Sequence, residues 1–154
     1  MPQRKLLALC LMLPILLAGC WQASGPTTYA VKGLVQYEGK PVAGATVTLI
    51  PTVAEGRSAS GMTDADGNFE VTTYISPSLQ PDGAMAGQYD IIVSKMEVHE
   101  LDPELTPQEA LVAFKRLGAP KNLLPKKYRN PRTSGLSVHI ESGPPEPLVL
   151  DLTN

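Results

Sequence analysis

From residue 29 onward, apolar residues tend to recur at every second position. Val31, Gly33, Val35 and Tyr37 share one side of a stretch whose other side holds Lys32 and Gln36, with Leu34 as the exception. Such a period of two predicts a half-buried strand over 29–37. Thr46-Val47-Thr48-Leu49-Ile50 is a β-branched strand stopped by Pro51. A Ser- and Gly-containing strand is predicted over 57–63. Asp64-Ala65-Asp66-Gly67 then reads as a hairpin turn, followed by a returning strand over 68–74 with Phe69, Val71 and Thr73 on one face. Further strands are predicted over 87–95 (Tyr89, Ile91, Val93), 136–141 (Leu136, Val138, Ile140) and 148–153 (Leu148, Leu150, Leu152). About seven short strands, each with one apolar face, predict an all-β, seven-stranded sandwich.

One segment has helical spacing. Thr106-Pro107-Gln108-Glu109 combines an N-cap Thr, a Pro at the first helical position and a Glu completing a capping box. Leu111, Phe114 and Leu117 follow, and Gly118 and Pro120 stop the run. A helix over about 107–117 is expected, with its apolar side on a sheet edge.

Composition changes the picture at the N-terminus. Arg4 and Lys5 precede Leu6–Ala18, a run without a charge. It is shorter than the roughly 20 apolar residues a spanning helix needs, and Pro14 interrupts it. It reads as a signal-peptide core. Leu17-Ala18-Gly19-Cys20 resembles a bacterial lipobox at all four positions. The resemblance implies a signal peptide over 1–19, lipid attachment at Cys20 through a thioether, acylation (palmitate or similar) of its new amine, and a tether over 20–28. Two or more acyl chains suffice for stable membrane anchoring. Trp21 stands where an Asp retains enterobacterial lipoproteins at the inner membrane, which leans the expectation towards the outer membrane. Cys10 would leave with the signal, so no disulfide is available. The 13 Lys+Arg lose Arg4 and Lys5, leaving 11 basic residues against 15 acidic ones, a net of −4. That balance argues against a nucleic-acid partner, which requires a basic excess.

Four segments carry a second resemblance. Val31-x-Gly33-x-Val35, Gly39-Lys40-Pro41-Val42-Ala43-Gly44-Ala45-x-Val47-x-Leu49, Thr63-Asp64-x-Asp66-Gly67-x-Phe69 and Gly87-x-Tyr89-x-Ile91-x-Val93 resemble carboxypeptidase regulatory-like domains. Leu124–Tyr128, Thr133–Leu136 and the terminal strand are similar to small lipoproteins of planctomycete-type bacteria. The resemblance covers 29–154 and implies a transthyretin-like (prealbumin-like) sandwich, interrupted by an insertion over 96–132. It also implies a non-catalytic structural or binding module of the envelope, without cofactor. One hydrolase of purine catabolism shares the fold, but its family ends in Tyr-Arg-Gly-Ser whereas this chain ends Asp151-Leu152-Thr153-Asn154.

Candidate chemistry is sparse. Asp64 and Asp66 are the only metal candidates. A calcium loop needs a bidentate Glu further on, yet Val71–Tyr74 occupy that stretch and Glu70 comes too early. His99, in an acidic and exposed-looking run, and His139, on the solvent side of its strand, lack metal-ligand spacing. No Gly-x-Ser-x-Gly nucleophile elbow exists. Seven basic residues fall within 115–132: Lys115, Arg116, Lys121, Lys126, Lys127, Arg129 and Arg132. Lys126, Lys127, Tyr128 and Arg129 are therefore the ligand-binding candidates, set against a solvated insertion in which the preceding Glu97, Glu100, Asp102, Glu104 and Glu109 compensate the basic charge, the reading that the adjoining acids favour. The cations would meet an anionic headgroup or polysaccharide, and Tyr128 would stack on a sugar. The alternative function is a ligand-binding lipoprotein that recognises a glycan or peptide through 96–132, with an enzyme as the remaining class. Expected partners are the membrane, through Cys20, and an envelope protein or polysaccharide.

Overall fold

The computed structural model describes residues 25–154, which form two packed β-sheets and one helix of more than one turn. In the first sheet β1 (Lys32–Tyr37) is central. It pairs antiparallel with β2 (Lys40–Pro41) and β5 (Asn68–Glu70), Gln36 opposite Pro41 and Gly33 opposite Phe69. Its other edge pairs in parallel with β9 (Leu148–Leu152), Val35 opposite Leu150. The second sheet has the order β6 (Thr72–Thr73), β4 (Ala59–Met62), β3 (Thr46–Pro51), β7 (Gly87–Ser94), β8 (Ser137–Ile140).

The inner faces are those the alternation predicts. Val31, Val35, Phe69, Leu150 and Leu152 from one layer meet Val47, Leu49, Tyr89, Ile91, Val93, Val138 and Ile140 from the other in one buried cluster. Removing this apolar surface from water is the main force holding the layers together. His139 is exposed, as its register requires.

The described residues contain nine strands rather than seven. Part of the difference is β2, which closes a hairpin onto β1 through Glu38 and Gly39, both at positive φ. The rest lies in 68–74, which is two strands and not one. β5 belongs to the first sheet and β6 to the second, and the chain changes layer at Val71, whose N–H donates to the Val31 carbonyl. The crossing passes directly over β4. A Cβ on Gly61 would lie 1.9 Å from the Glu70 carbonyl oxygen, so only glycine fits beneath it. Phe69, Val71 and Thr73 stay buried throughout, because the chain changes partners without reversing its inward face.

α1 (Pro107–Leu117) has the expected boundaries and the expected capping box: the Thr106 hydroxyl accepts from the Glu109 N–H, and the Glu109 carboxylate accepts from the Thr106 N–H. Its packing differs from expectation. It buries none of its residues, and Leu111 and Phe114 are 56% and 51% exposed. The insertion closes on itself instead. The Lys95 carbonyl accepts from the Leu123 N–H and the Glu97 N–H donates to the Lys121 carbonyl, making a two-stranded stem with α1 beyond it. Asn122 Oδ1 fastens that stem by accepting from the N–H groups of Lys95 and Leu124. The part of the insertion that does join the core is its exit. Leu124 and Tyr128 are buried there, Tyr128 on a 3-10 turn over Lys126–Arg129 that leads to the short α2 (Pro131–Ser134).

Candidate functional site

The lipid-attachment candidate, Cys20, lies outside the described residues, as do the signal-peptide positions and the first part of the tether. No described helix is long and apolar enough to cross a membrane.

The Asp64–Asn68 turn is built by one carboxylate. Asp64 Oδ1 accepts from the main-chain N–H groups of Asp66 and Asn68, each at 2.9 Å, while Gly67 takes φ 82°. Hydrogen bonds from Asn68, Asp66 and Gly67 hold the Asp64 carboxyl below its ordinary pKa despite an opposing effect of desolvation. Asp64 is thus engaged in shaping the turn, and Asp66 is exposed. Among the described residues no group of three or more His, Cys, Asp or Glu side chains is placed to hold a metal.

His99 is not the exposed residue its acidic neighbours suggest. Its side chain is 12% exposed, with Nε2 buried and 3.9 Å from Glu97 Oε2. The sequence neighbours Val98 and Glu100 are exposed, so the irregular chain beyond the stem turns His99 inward.

The four basic-segment candidates separate into two roles. Lys126 and Arg129 are exposed, and neither has a carboxylate within ion-pair distance among the described residues. Tyr128 is 4% exposed and belongs to the core, so its ring offers no open face for a sugar. Its hydroxyl donates to the Thr153 carbonyl at 3.0 Å and accepts the Thr153 N–H at 2.8 Å. Burial pushes the phenol pKa up, but the bonds to Thr153 and the nearby Lys127 ammonium outweigh it and the net direction is down. Lys127 Nζ lies 5.0 Å from the Tyr128 ring centroid and donates to the Asn154 main-chain oxygen. Tyr128 and Lys127 therefore secure the end of β9.

The same pole contains a cleft that the sequence reading missed. It has a volume of about 210 Å³ and is lined by Tyr37, Lys40, Pro41, Val42, Lys95, Leu123 and Leu124. The β1–β2 hairpin forms one wall and the base of the insertion stem the other. The Tyr37 wall is fixed, since its hydroxyl donates to Asn154 Oδ1. No local motif marks this place: residues 37–42, 95 and 123–124 meet only after folding.

Comparison with protein-family models, with curated proteins and with solved structures finds no match for this chain. A functional reading therefore rests on the chain's own residues.

Proposed function

We propose that this chain is a lipid-anchored protein of the bacterial cell envelope, exported by its N-terminal signal and held to a membrane through Cys20. Its sandwich would serve as a non-catalytic structural or binding module. The observation that carries this reading is Leu17-Ala18-Gly19-Cys20 at the end of the uncharged run that begins at Leu6. A thioether at the cysteine thiol is a chemically stable link to lipid, and two or three acyl chains satisfy the two-signal requirement for anchoring. Trp21 at the following position favours the outer membrane. The two-layer β architecture is compatible with a transthyretin-like, carboxypeptidase regulatory-like domain, which is the finer fold assignment we favour.

The test is acylation in a bacterial host. Full-length chain grown with radiolabelled palmitate should incorporate label and partition into membranes, and Cys20→Ala should abolish both. A free thiol on the N-terminal peptide by mass spectrometry would refute the anchor.

A second reading is ligand capture through 96–132. It is favoured by α1, which carries Leu111 and Phe114 exposed beyond a stem fastened to the sandwich.

A further inference from the structure

The cleft between the β1–β2 hairpin and the insertion stem is lined by two lysines, Lys40 and Lys95. Lys40 is exposed and Lys95 half-buried, and neither has a carboxylate within 4.0 Å among the described residues. Residues 1–24 contain no Asp or Glu. The acids nearest in sequence have other partners: Glu38 Oε1 accepts from Asn154 Nδ2, and Glu97 Oε2 faces His99. Pro41, Val42, Leu123 and Leu124 supply an apolar lining beside the two cations.

A lysine ammonium beside an apolar wall gains from a counter-charge that enters the same cleft. The cleft is smaller than the roughly 300–1,000 Å³ pockets of drug-sized ligands. It suits one residue-sized group. The apolar lining calls for a short aliphatic stem rather than a compact, fully hydrated ion. The two cations are separate lysines, point charges rather than the planar fork that arginine presents to carboxylate and phosphate alike.

We propose that this cleft binds a carboxylate carried on a short aliphatic chain, as in the glutamate side chain of an acidic peptide. Lys40 and Lys95 would flank the carboxylate, while Val42, Leu123 and Leu124 cover the methylenes. The inference deepens the ligand-binding reading and does not depend on lipid at Cys20.

The test uses the full chain, isotopically labelled, in detergent solution, followed by two-dimensional NMR. The probes are N-acetyl-glutamate methylamide, its glutamine counterpart, glutarate and inorganic phosphate. The glutamate probe should shift the amides of Lys40, Val42, Lys95 and Leu123, and the glutamine counterpart should bind about tenfold more weakly or worse. Lys40→Gln and Lys95→Gln should each weaken binding about tenfold. Lys32→Gln, whose ammonium pairs with Glu70 on the first sheet, should change nothing. Tighter binding of the glutamate probe than of glutarate identifies a peptide source, and the reverse a free acid. Equal binding of the glutamine counterpart, equal binding of phosphate, unaltered affinity in Lys40→Gln, or no shifts up to about 10 mM would each overturn the proposal. Lys40 is exposed, so its variant keeps the test decisive should Lys95→Gln fail to fold. Palmitate labelling is untouched by these outcomes, which separates failure of this cleft from failure of the anchor.

Discussion

The Tyr128 hydroxyl makes two hydrogen bonds with one residue, donating to the Thr153 carbonyl and accepting the Thr153 N–H. Thr153 follows the last residue of β9, a strand that pairs in parallel with β1 and has no neighbour on its other side among the described residues. A buried side chain thus performs the hydrogen bonding that a further strand would supply. Tyr128→Phe keeps the ring but leaves both main-chain groups without their partner. It should lower stability by about 1–3 kcal/mol, read as a fall of several degrees in Tm. An unchanged Tm would mean that water replaces the hydroxyl at no cost.

Two glycines should respond to alanine for different reasons. At Gly61 the added Cβ would sit 1.9 Å from the Glu70 carbonyl oxygen, where the chain crosses between sheets. At Gly39 nothing lies within 4 Å, but φ is +74°. Gly39→Ala should cost about 1–2 kcal/mol, the penalty for a side chain in the left-handed region. Gly61→Ala should cost more, because backbone must move, and it should disturb the β4–β6 pairing. Chemical denaturation gives the ranking, and amide exchange at Thr72 and Thr73 gives the location.

Asp64 predicts a pH effect. Its folded pKa is depressed, so its contribution is present above the unfolded value and is lost as pH falls through the folded one. Stability should therefore decline from near the ordinary carboxylate pKa of 3.8 downward, with Asp64 among the contributors. Asp64→Ala should be less stable than the parent at pH 7, and the difference should narrow between about pH 4 and pH 2. A constant difference across that range would show that the charge of Asp64 is irrelevant to the turn.

Thr106→Ala removes the capping box from a helix that buries nothing. The loss, about 0.5–2 kcal/mol, should stay local to α1. Hydrogen exchange over 107–117 should quicken while the global Tm stays put. A fall in Tm equal to the local loss would mean that α1 unfolds together with the sandwich.

The periodicity of the chain was sufficient for most strands, for their inward faces and for the limits of α1. Val35, Val47, Ile91 and Leu150 alternate with neighbours that are not buried because one side of each strand meets the other sheet, and the Thr106/Glu109 box is local chemistry. The uncharged run Leu6–Ala18 and the Leu17-Ala18-Gly19-Cys20 motif are equally local, since they are features of contiguous residues. What needed the tertiary structure was partnership. No pattern in 68–74 shows that Val71 changes sheets, because both halves bury the same face. No pattern shows β9 beside β1, because parallel pairing joins residues more than a hundred positions apart. Tyr128 read as a ligand platform because an aromatic among lysines looks exposed, and only folding shows Thr153 waiting for its hydroxyl. The Lys40/Lys95 cleft has the same origin. Two lysines from distant segments that line one cleft leave no local signature.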